Sequence, residues 1–325
     1  LELYQLMFER KGISLQSSLV SSLEVLEEIS KGKITEYFTK VINKVSPTDN
    51  KSMNDSMPPE WLSDYINKLV ELFEAYDRGN VSDSDEEKPI ISGSFLSKVV
   101  EEPIQAKLIK MIQNEFPLAR KSDETRYLLL TMQINCFDLV KSRFSPFATT
   151  IFALDEESSR FFKIIDDKLK EFINRMLELQ EKLLFQNTGM GLYYNLFNMI
   201  FPVSSIQDEL DYDMYLSLMD NPLMKLDTIK SKVHDPLNEY LPQALNDLQG
   251  NLLFRLTSPI IADEISETCF KNLSQFYINF RRILVHLYPD RKEDIEDILN
   301  FSEEEFETLV GIGAVSYTHL TLPTN

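Results

Sequence analysis

The stretch from Ser258 to Leu309 constrains the chain more than any other, because it specifies a very long amphipathic helix, a proline stop and a short capped helix in succession. Ile261, Ile265, Cys269, Leu273, Phe276, Phe280, Ile283 and Leu287 recur at steps of three or four, which places them on one helix face. Glu267, Lys271, Gln275, Asn279 and Arg282 fall on the opposite face. Pro259 after Ser258 suits the first helical position. Asp263 and Glu264 lie toward the positive end of the helix dipole, and Arg281, Arg282 and His286 toward the negative end. Pro289 ends the run. With a rise of about 1.5 Å per residue the helix is about 45 Å long, more than a compact domain usually needs. That length predicts an elongated rod of stacked antiparallel helical bundles. Ser302 with Glu305 then makes a capping-box signature ahead of Phe306 and Leu309.

The rest of the composition agrees with an all-α chain. Only 9 of 325 residues are glycine, with none between Gly250 and Gly311, whereas sheet-rich and nucleotide-binding folds need glycine at turns and phosphate loops. A total of 52 acidic against 33 basic residues gives a net charge of −19, which repels nucleic acid and anionic lipid in the absence of a local basic patch. No such patch is present, so nucleic acid is not an expected partner. Cys136 and Cys269 sit within apolar helical patterns and read as buried free thiols of a reducing compartment, the cytosol. The chain opens at Leu1 rather than at methionine and is read as a segment of a longer protein. Glu2, Glu9, Arg10 and Lys11 interrupt any signal-peptide core. The uncharged run from Asn187 to Gln207 contains Gly189, Gly191, Asn195, Asn198 and Pro202, and reads as a buried turn between helices in preference to a membrane-inserted segment.

Along the chain, Leu15, Leu19, Leu23, Leu26 and Ile29 form one helical stripe, and Ile34, Phe38, Val41, Ile42 and Val45 a second after Gly32. Residues 46–59 are a proline-containing loop before a helix that holds Trp61, Tyr65, Leu69, Leu72, Phe73 and Tyr76. From Asp77 to Pro89 apolar residues nearly vanish, and Asp83, Asp85, Glu86 and Glu87 surround Ser82 and Ser84. This is the best linker in the chain, and the two serines are candidate sites for an acid-directed kinase, with an ordinary solvated loop as the alternative. Ile104, Leu108, Met111 and Ile112 form a further helix, and another runs from Tyr127 toward Pro146. Phe162, Ile165, Leu169, Phe172, Met176, Leu179 and Leu183 alternate steps of three and four, as in a heptad. A helix inside its own bundle is preferred to a coiled-coil seam, because aromatics fill the seam and few heptads are sustained. Between Ile206 and Leu256, Pro222, Pro236 and Pro242 predict short helical pieces. Residues 1–76 are thus assigned to a helical bundle continuing from a missing N-terminal part. Residues 77–90 are the acidic linker and 91–312 a C-terminal helical bundle. Residues 313–325 form a charge-free tail resembling translated vector sequence, with an edge strand as the alternative.

Chemistry is thinly represented. His234 and His286 lack any accompanying nucleophile motif, and no His-Glu-x-x-His or paired-cysteine pattern occurs. Asp208, Glu209, Asp211 and Asp213 form the tightest acidic cluster. An Asp-x-Asp nucleotide-sugar site would need an α/β fold, and a prenyl-diphosphate site a fuller aspartate motif than Asp166 with Asp167, so a solvated helix start is preferred. Gly189-Met190-Gly191 lacks the strand and lysine of a phosphate loop. Arg281, Arg282, Arg291 and Lys292 could meet a phosphoinositide, but Asp290, Glu293 and Asp294 surround the second pair. No catalytic residue, metal ligand or cofactor is assigned, and the chain reads as a non-enzymatic scaffold.

Several ordered signatures carry a resemblance. Gly191-Leu192-Tyr193-Tyr194-Asn195 follows a long helix, then Tyr240-Leu241-Pro242-Gln243-Ala244-Leu245, the second long helix, and a closing run from Asp297 through Phe301-Ser302 to Thr308-Leu309. Over roughly Tyr127 to Ile312 the chain resembles the family of the sixth subunit of the conserved oligomeric Golgi complex, one of the helical-rod tethering families that include exocyst subunits. Residues 1–126 match it only in helical character. The resemblance implies a non-catalytic subunit at the cytosolic face of the Golgi, peripheral to the membrane. It implies capture of retrograde intra-Golgi vesicles through other complex subunits, SNARE proteins and Rab-type small GTPases. An exocyst-type subunit or motor cargo-binding tail is the alternative, and a metal-dependent helical enzyme a further one. Leu299, Phe301, Phe306 and Leu309 are candidate partner-docking residues, the other reading being that they seal the end of the bundle.

Overall fold

The computed structural model describes residues 7, 10–12, 18–45, 56–79, 91, 93–108, 122–153, 156–199 and 211–311, and every regular element among them is helical. The chain is all-α. It divides into two compact units, Leu1–Lys170 and Glu171–Asn325, with the division inside one helix, Glu156–Asn187. Residues 80–90, including Ser82 and Ser84, lie outside the described residues, as do 312–325.

In the first unit, α1 spans Ser18–Asn43, α2 Glu60–Gly79, α3 Gly93–Leu96 and α4 Asp123–Phe144. A π-helical turn, Ser97–Glu101, continues α3, and the helical run goes on through residue 108. On α2, Leu62, Tyr65, Ile66, Leu69 and Phe73 follow helical spacing and are almost completely buried. Phe73 meets Phe144, Phe147 and Phe152 with ring centroids 5.6, 5.4 and 5.7 Å away, which builds an aromatic core on edge-to-face and tilted contacts. The buried Tyr65 hydroxyl donates to the Val99 carbonyl at 2.5 Å, so the phenol that burial desolvates is still hydrogen-bonded. Ser122 caps α4 by accepting from Thr125 N at 3.1 Å.

The two halves of α1 behave differently. Phe38 and Ile42 are buried, as their stripe predicts, whereas Leu26 and Ile29 of the first stripe are each about half exposed together with Val25. Periodicity identified an apolar face there, but no described element covers it.

The helix Glu156–Asn187, α5, carries the heptad residues. Ile165, Leu169, Phe172, Met176 and Leu179 are buried, and at the C-terminal end the seam passes to Leu184 and Phe185, leaving Leu183 half-buried. In the second unit follow α6 (Gly191–Asn198), α7 (Leu226–Ile229), α8 (Leu241–Arg255), α9 (Pro259–Leu287), α10 (Lys292–Leu299) and α11 (Glu303–Leu309). The expected break-up around Pro236 and Pro242 is corrected. From Leu226 to Arg255 the helix is continuous, because two π-helical turns, Lys230–His234 and Pro236–Tyr240, join α7 to α8. Pro236 offers no N–H to the Lys232 carbonyl four residues earlier, and widening the helix accommodates both the ring and the lost bond. Pro242 sits at the start of α8, where no N–H is required.

A connection of three residues, 256–258, turns α8 into α9, so the two pack as a helical hairpin. All eight residues of the long apolar stripe on α9 are buried. Asn279, expected on the polar face, is also buried at 4 % exposure. Over Leu273–Phe280 the helix is surrounded, by Tyr193 and Phe197 of α6 on one side and by Phe306 of α11 on another. Such a segment loses its amphipathic exposure whatever its sequence period.

Candidate partner-docking site

The C-terminal helices close on α9 through contacts made by Tyr277, Arg281 and Arg282, on two successive turns. The Tyr277 ring stacks on Phe306 with centroids 3.8 Å apart and planes 5° from parallel. Its hydroxyl donates to the Phe301 carbonyl at 2.6 Å and lies 3.4 Å from that of Leu299. Arg281 Nη1 donates to the same Phe301 carbonyl at 3.1 Å, and Arg282 grips Glu303 through Nε at 3.1 Å and Nη2 at 2.6 Å. Burial pushes the Tyr277 phenol above its ordinary range, so it stays a donor. Glu303 keeps the Arg282 guanidinium more firmly protonated.

Local sequence shapes the segment that these side chains hold. Asn300 ends α10 in the left-handed region at φ 61°, a conformation asparagine tolerates, and its amide donates to Asn238 Oδ1 at 3.1 Å. Asn238 in turn donates to the His234 carbonyl at 2.7 Å, and His234 Nδ1 meets the Ile298 carbonyl at 3.0 Å. Ser302 and Glu305 form the capping box, Glu305 N donating to Ser302 Oγ at 3.2 Å and Ser302 N to Glu305 Oε2 at 2.8 Å. Those bonds from Ser302 hold the Glu305 carboxyl below its usual range.

The four candidate docking residues do not share one exposed face. Leu299 and Phe306 have no exposed surface, Phe301 is half-buried, and Leu309 is 39 % exposed. The stacked Tyr277 ring and the core under α10 occupy the first two. Burial of a side chain such as Phe306 is worth about 1.5–3 kcal/mol, so exposing it to a partner would open the unit. Of the four, only Leu309 and part of Phe301 reach solvent.

The other sequence candidates take structural roles. Asp211 accepts from Asp213 N at 3.1 Å and begins the 3-10 turn Tyr212–Leu218, while Asp213 Oδ1 lies 2.9 Å from His286 Nε2. Asp208 and Glu209 lie outside the described residues. Asp166 is held by Lys141 at 2.5 Å and Lys170 at 2.6 Å, which lower its carboxyl. Arg291 pairs with Asp294, and Arg281 lies 3.5 Å from Glu296. Cys136 and Cys269 are buried and outside any disulfide, and desolvation raises the Cys269 thiol far from the reactive range. Among the described residues no group of three or more His, Cys, Asp or Glu side chains could hold a metal ion. None of the described helices is long and apolar enough to cross a membrane.

The stripe read along α9 omits Tyr277, the centre of these contacts, although it lies four residues after Leu273 and three before Phe280. Sequence reasoning also missed Leu253, Phe254 and Ile260, exposed at 44 %, 81 % and 79 % around the α8–α9 turn. Their signal was available: bulky apolar residues out of phase with the buried stripes of both helices.

The family model described as conserved oligomeric Golgi complex subunit 6, C-terminal, matches residues 1–310. The match therefore includes residues 1–126, where the signatures alone carried only helical character. The chain is 54 % identical over 312 residues to conserved oligomeric Golgi complex subunit 6 of Vanderwaltozyma polyspora, covering 96 % of this chain and 38 % of that protein. It is 53 % identical over 315 residues to the subunit of the same name from Saccharomyces cerevisiae, covering 96 % and 37 %. The likeness falls to 22 % over 314 residues in Scheffersomyces stipitis. The chain thus spans less than two-fifths of the length of these relatives. No solved structure matches it.

Proposed function

Because the chain belongs to the family of the C-terminal region of conserved oligomeric Golgi complex subunit 6, we propose that it is a non-catalytic part of a Golgi vesicle-tethering subunit. It acts at the cytosolic face, peripheral to the membrane, and holds partners apart on stiff packed helices. Those partners are the other subunits of the complex, SNARE proteins and Rab-type small GTPases, and the cargo is retrograde intra-Golgi vesicles. The observation that carries this reading is a family match running over residues 1–310 at more than half identity to named subunits. Binding energy in such a scaffold comes from apolar patches on helix faces, with charge selecting the partner.

Residues 77–90 serve in this reading as an acidic linker between helical segments 1–76 and 91–312, and 313–325 take no functional part. Phosphorylation of Ser82 and Ser84 would add charge to a segment already rich in carboxylates and extend it further. Phe301 and Leu309 form the reachable edge of the C-terminal docking segment.

Affinity capture of the intact parent protein from cells, paired with its localisation, tests the proposal. Co-purification of other Golgi-tether subunits and a Golgi location are expected. Recovery of exocyst or motor components in their place would sink the Golgi assignment and keep only the scaffold.

A further inference from the structure

We propose that the tip of the α8–α9 hairpin and the groove beside it form a docking surface for a basic amphipathic helix of a partner protein. Phe254 and Ile260 are the two bulky apolar side chains most fully offered to solvent in the hairpin, at 81 % and 79 % exposure, with Leu253 beside them at 44 %. Each sits at the turn end of its helix, so the three share the tip rather than being scattered singly over the surface.

Charge continues the surface along α9. Ile260, Asp263, Glu264 and Glu267 are spaced by three and four, which puts them on one outward face. The three carboxylates are exposed and make no ion pair among the described residues. Asp263 and Glu267 also line a groove of about 420 Å³ with Gln249, Phe270, Lys271 and Val310. Lys271 is the only base among the residues lining that groove and Arg255 is the base at the turn end of α8, so the groove and tip together present apolar contact beside an excess of carboxylates, Asp263, Glu264 and Glu267.

That combination selects the occupant. An anionic bilayer is repelled by three carboxylates next to the apolar tip and by a chain of net charge −19. A second copy docked face to face would set the same carboxylates against one another. Residues 313–325 of this chain contain no lysine or arginine to answer them. A helix with an apolar stripe flanked by Lys or Arg satisfies both halves, seating its apolar side chains on Phe254 and Ile260 and its cations on Asp263, Glu264 and Glu267. This surface rests on the second unit alone and stands whether or not the Golgi reading holds.

The probe is a labelled helical peptide of about five turns with a leucine stripe flanked by lysines, titrated into the full chain by fluorescence anisotropy. Its counterpart carries glutamates in place of the lysines. Binding of the lysine peptide is expected, with hydrogen-exchange protection confined to residues 249–271 and the groove edge at Val310, and affinity falling as salt rises. The pair Phe254→Ser with Ile260→Ser, and separately Asp263→Lys with Glu267→Lys, should each weaken it by about tenfold or more. These positions are exposed, so circular dichroism of the variants should match the parent chain. Equal binding of the two peptides, protection elsewhere, or affinities unmoved by both variant pairs overturns the proposal. So does preferential binding to phosphatidylcholine–phosphatidylserine vesicles, concentration-dependent dimerisation lost in the variants, or tighter peptide binding after deletion of residues 312–325.

Discussion

Gly189 holds φ at +74° in the turn between α5 and α6, and a Cβ there would lie 2.4 Å from the Lys232 carbonyl oxygen. Two constraints coincide: the left-handed backbone and a backbone oxygen that cannot step aside. Gly189→Ala should therefore cost about 2 kcal/mol or more of stability. Gly250, in the middle of α8 with nothing near its absent Cβ, should respond in the opposite sense, Gly250→Ala gaining about 0.5–1 kcal/mol. Native-state hydrogen exchange across Leu241–Arg255 reads both, and equal effects would mean that the turn relaxes freely. A second residue-scale test concerns Glu181, which accepts from Asn272 and lies partly desolvated beside Glu178. Burial raises its carboxyl pKa, the Asn272 bond opposes the rise, and Glu178 adds to it. The native state then holds this proton at a pH where the unfolded chain has released it, so stability falls as pH rises from the ordinary glutamate range through the folded value. Glu181→Gln should remove that slope and stabilise the chain at neutral pH, measured as urea midpoints across pH. A midpoint lowered at neutral pH would show that the ionised carboxylate is favoured by its surroundings.

At the scale of elements, the sequence disclosed α9 almost completely, including its proline start, its stop and the capping box of α11, because each signal is local. What it could not disclose is how many neighbours an element has. Asn279 looked polar-facing and is buried, its amide oxygen accepting from Gln275, on a stretch of α9 whose neighbouring residues pack against both α6 and α11. Leu26 and Ile29 looked core-facing and are exposed because nothing described lies against the N-terminal half of α1. The π-helical joint at Pro236 was invisible for a related reason: proline signals a lost hydrogen bond, not the widening that absorbs it. The candidate docking residues illustrate the same boundary: Leu299, Phe306 and Leu309 lie on the two closing helices and Phe301 between them, and the burial of Phe306 depends on the Tyr277 ring stacked against it. The halves of α1 can be tested against each other. Phe38→Ala should cost about 3–5 kcal/mol, whereas Leu26→Lys and Ile29→Lys should each change stability by no more than about 0.5 kcal/mol. Fluorescence of Trp61 in the same unit follows the unfolding. A large loss from the lysine substitutions would mean that the exposed stripe is covered in solution.

For the molecule as a whole, the dominant electrostatic fact is the excess of 52 carboxylates over 33 bases. Two opposing effects of salt follow. Screening weakens attractive surface pairs such as Glu36 with Lys40 at 2.5 Å and Glu171 with Arg175 at 2.5 Å, but exposed pairs of this kind contribute little to stability. Screening also relieves the self-repulsion of a chain at −19, which compaction intensifies and unfolding relaxes. The repulsive sum runs over many charges at separations beyond neighbour contact, where lowering the Debye length from about 30 Å at 0.01 M to about 8 Å at physiological ionic strength has its greatest effect. Repulsion should win. The thermal midpoint is expected to rise between those two salt concentrations, and the rise should shrink in a variant in which exposed Asp263, Glu264 and Glu267 are neutralised to their amides. A midpoint that falls with added salt would mean that the surface pairs, not the net charge, set the electrostatic balance of the fold. The same excess then acts outward as well as inward. It holds anionic surfaces away while leaving unpaired carboxylates on α9 to choose a basic partner.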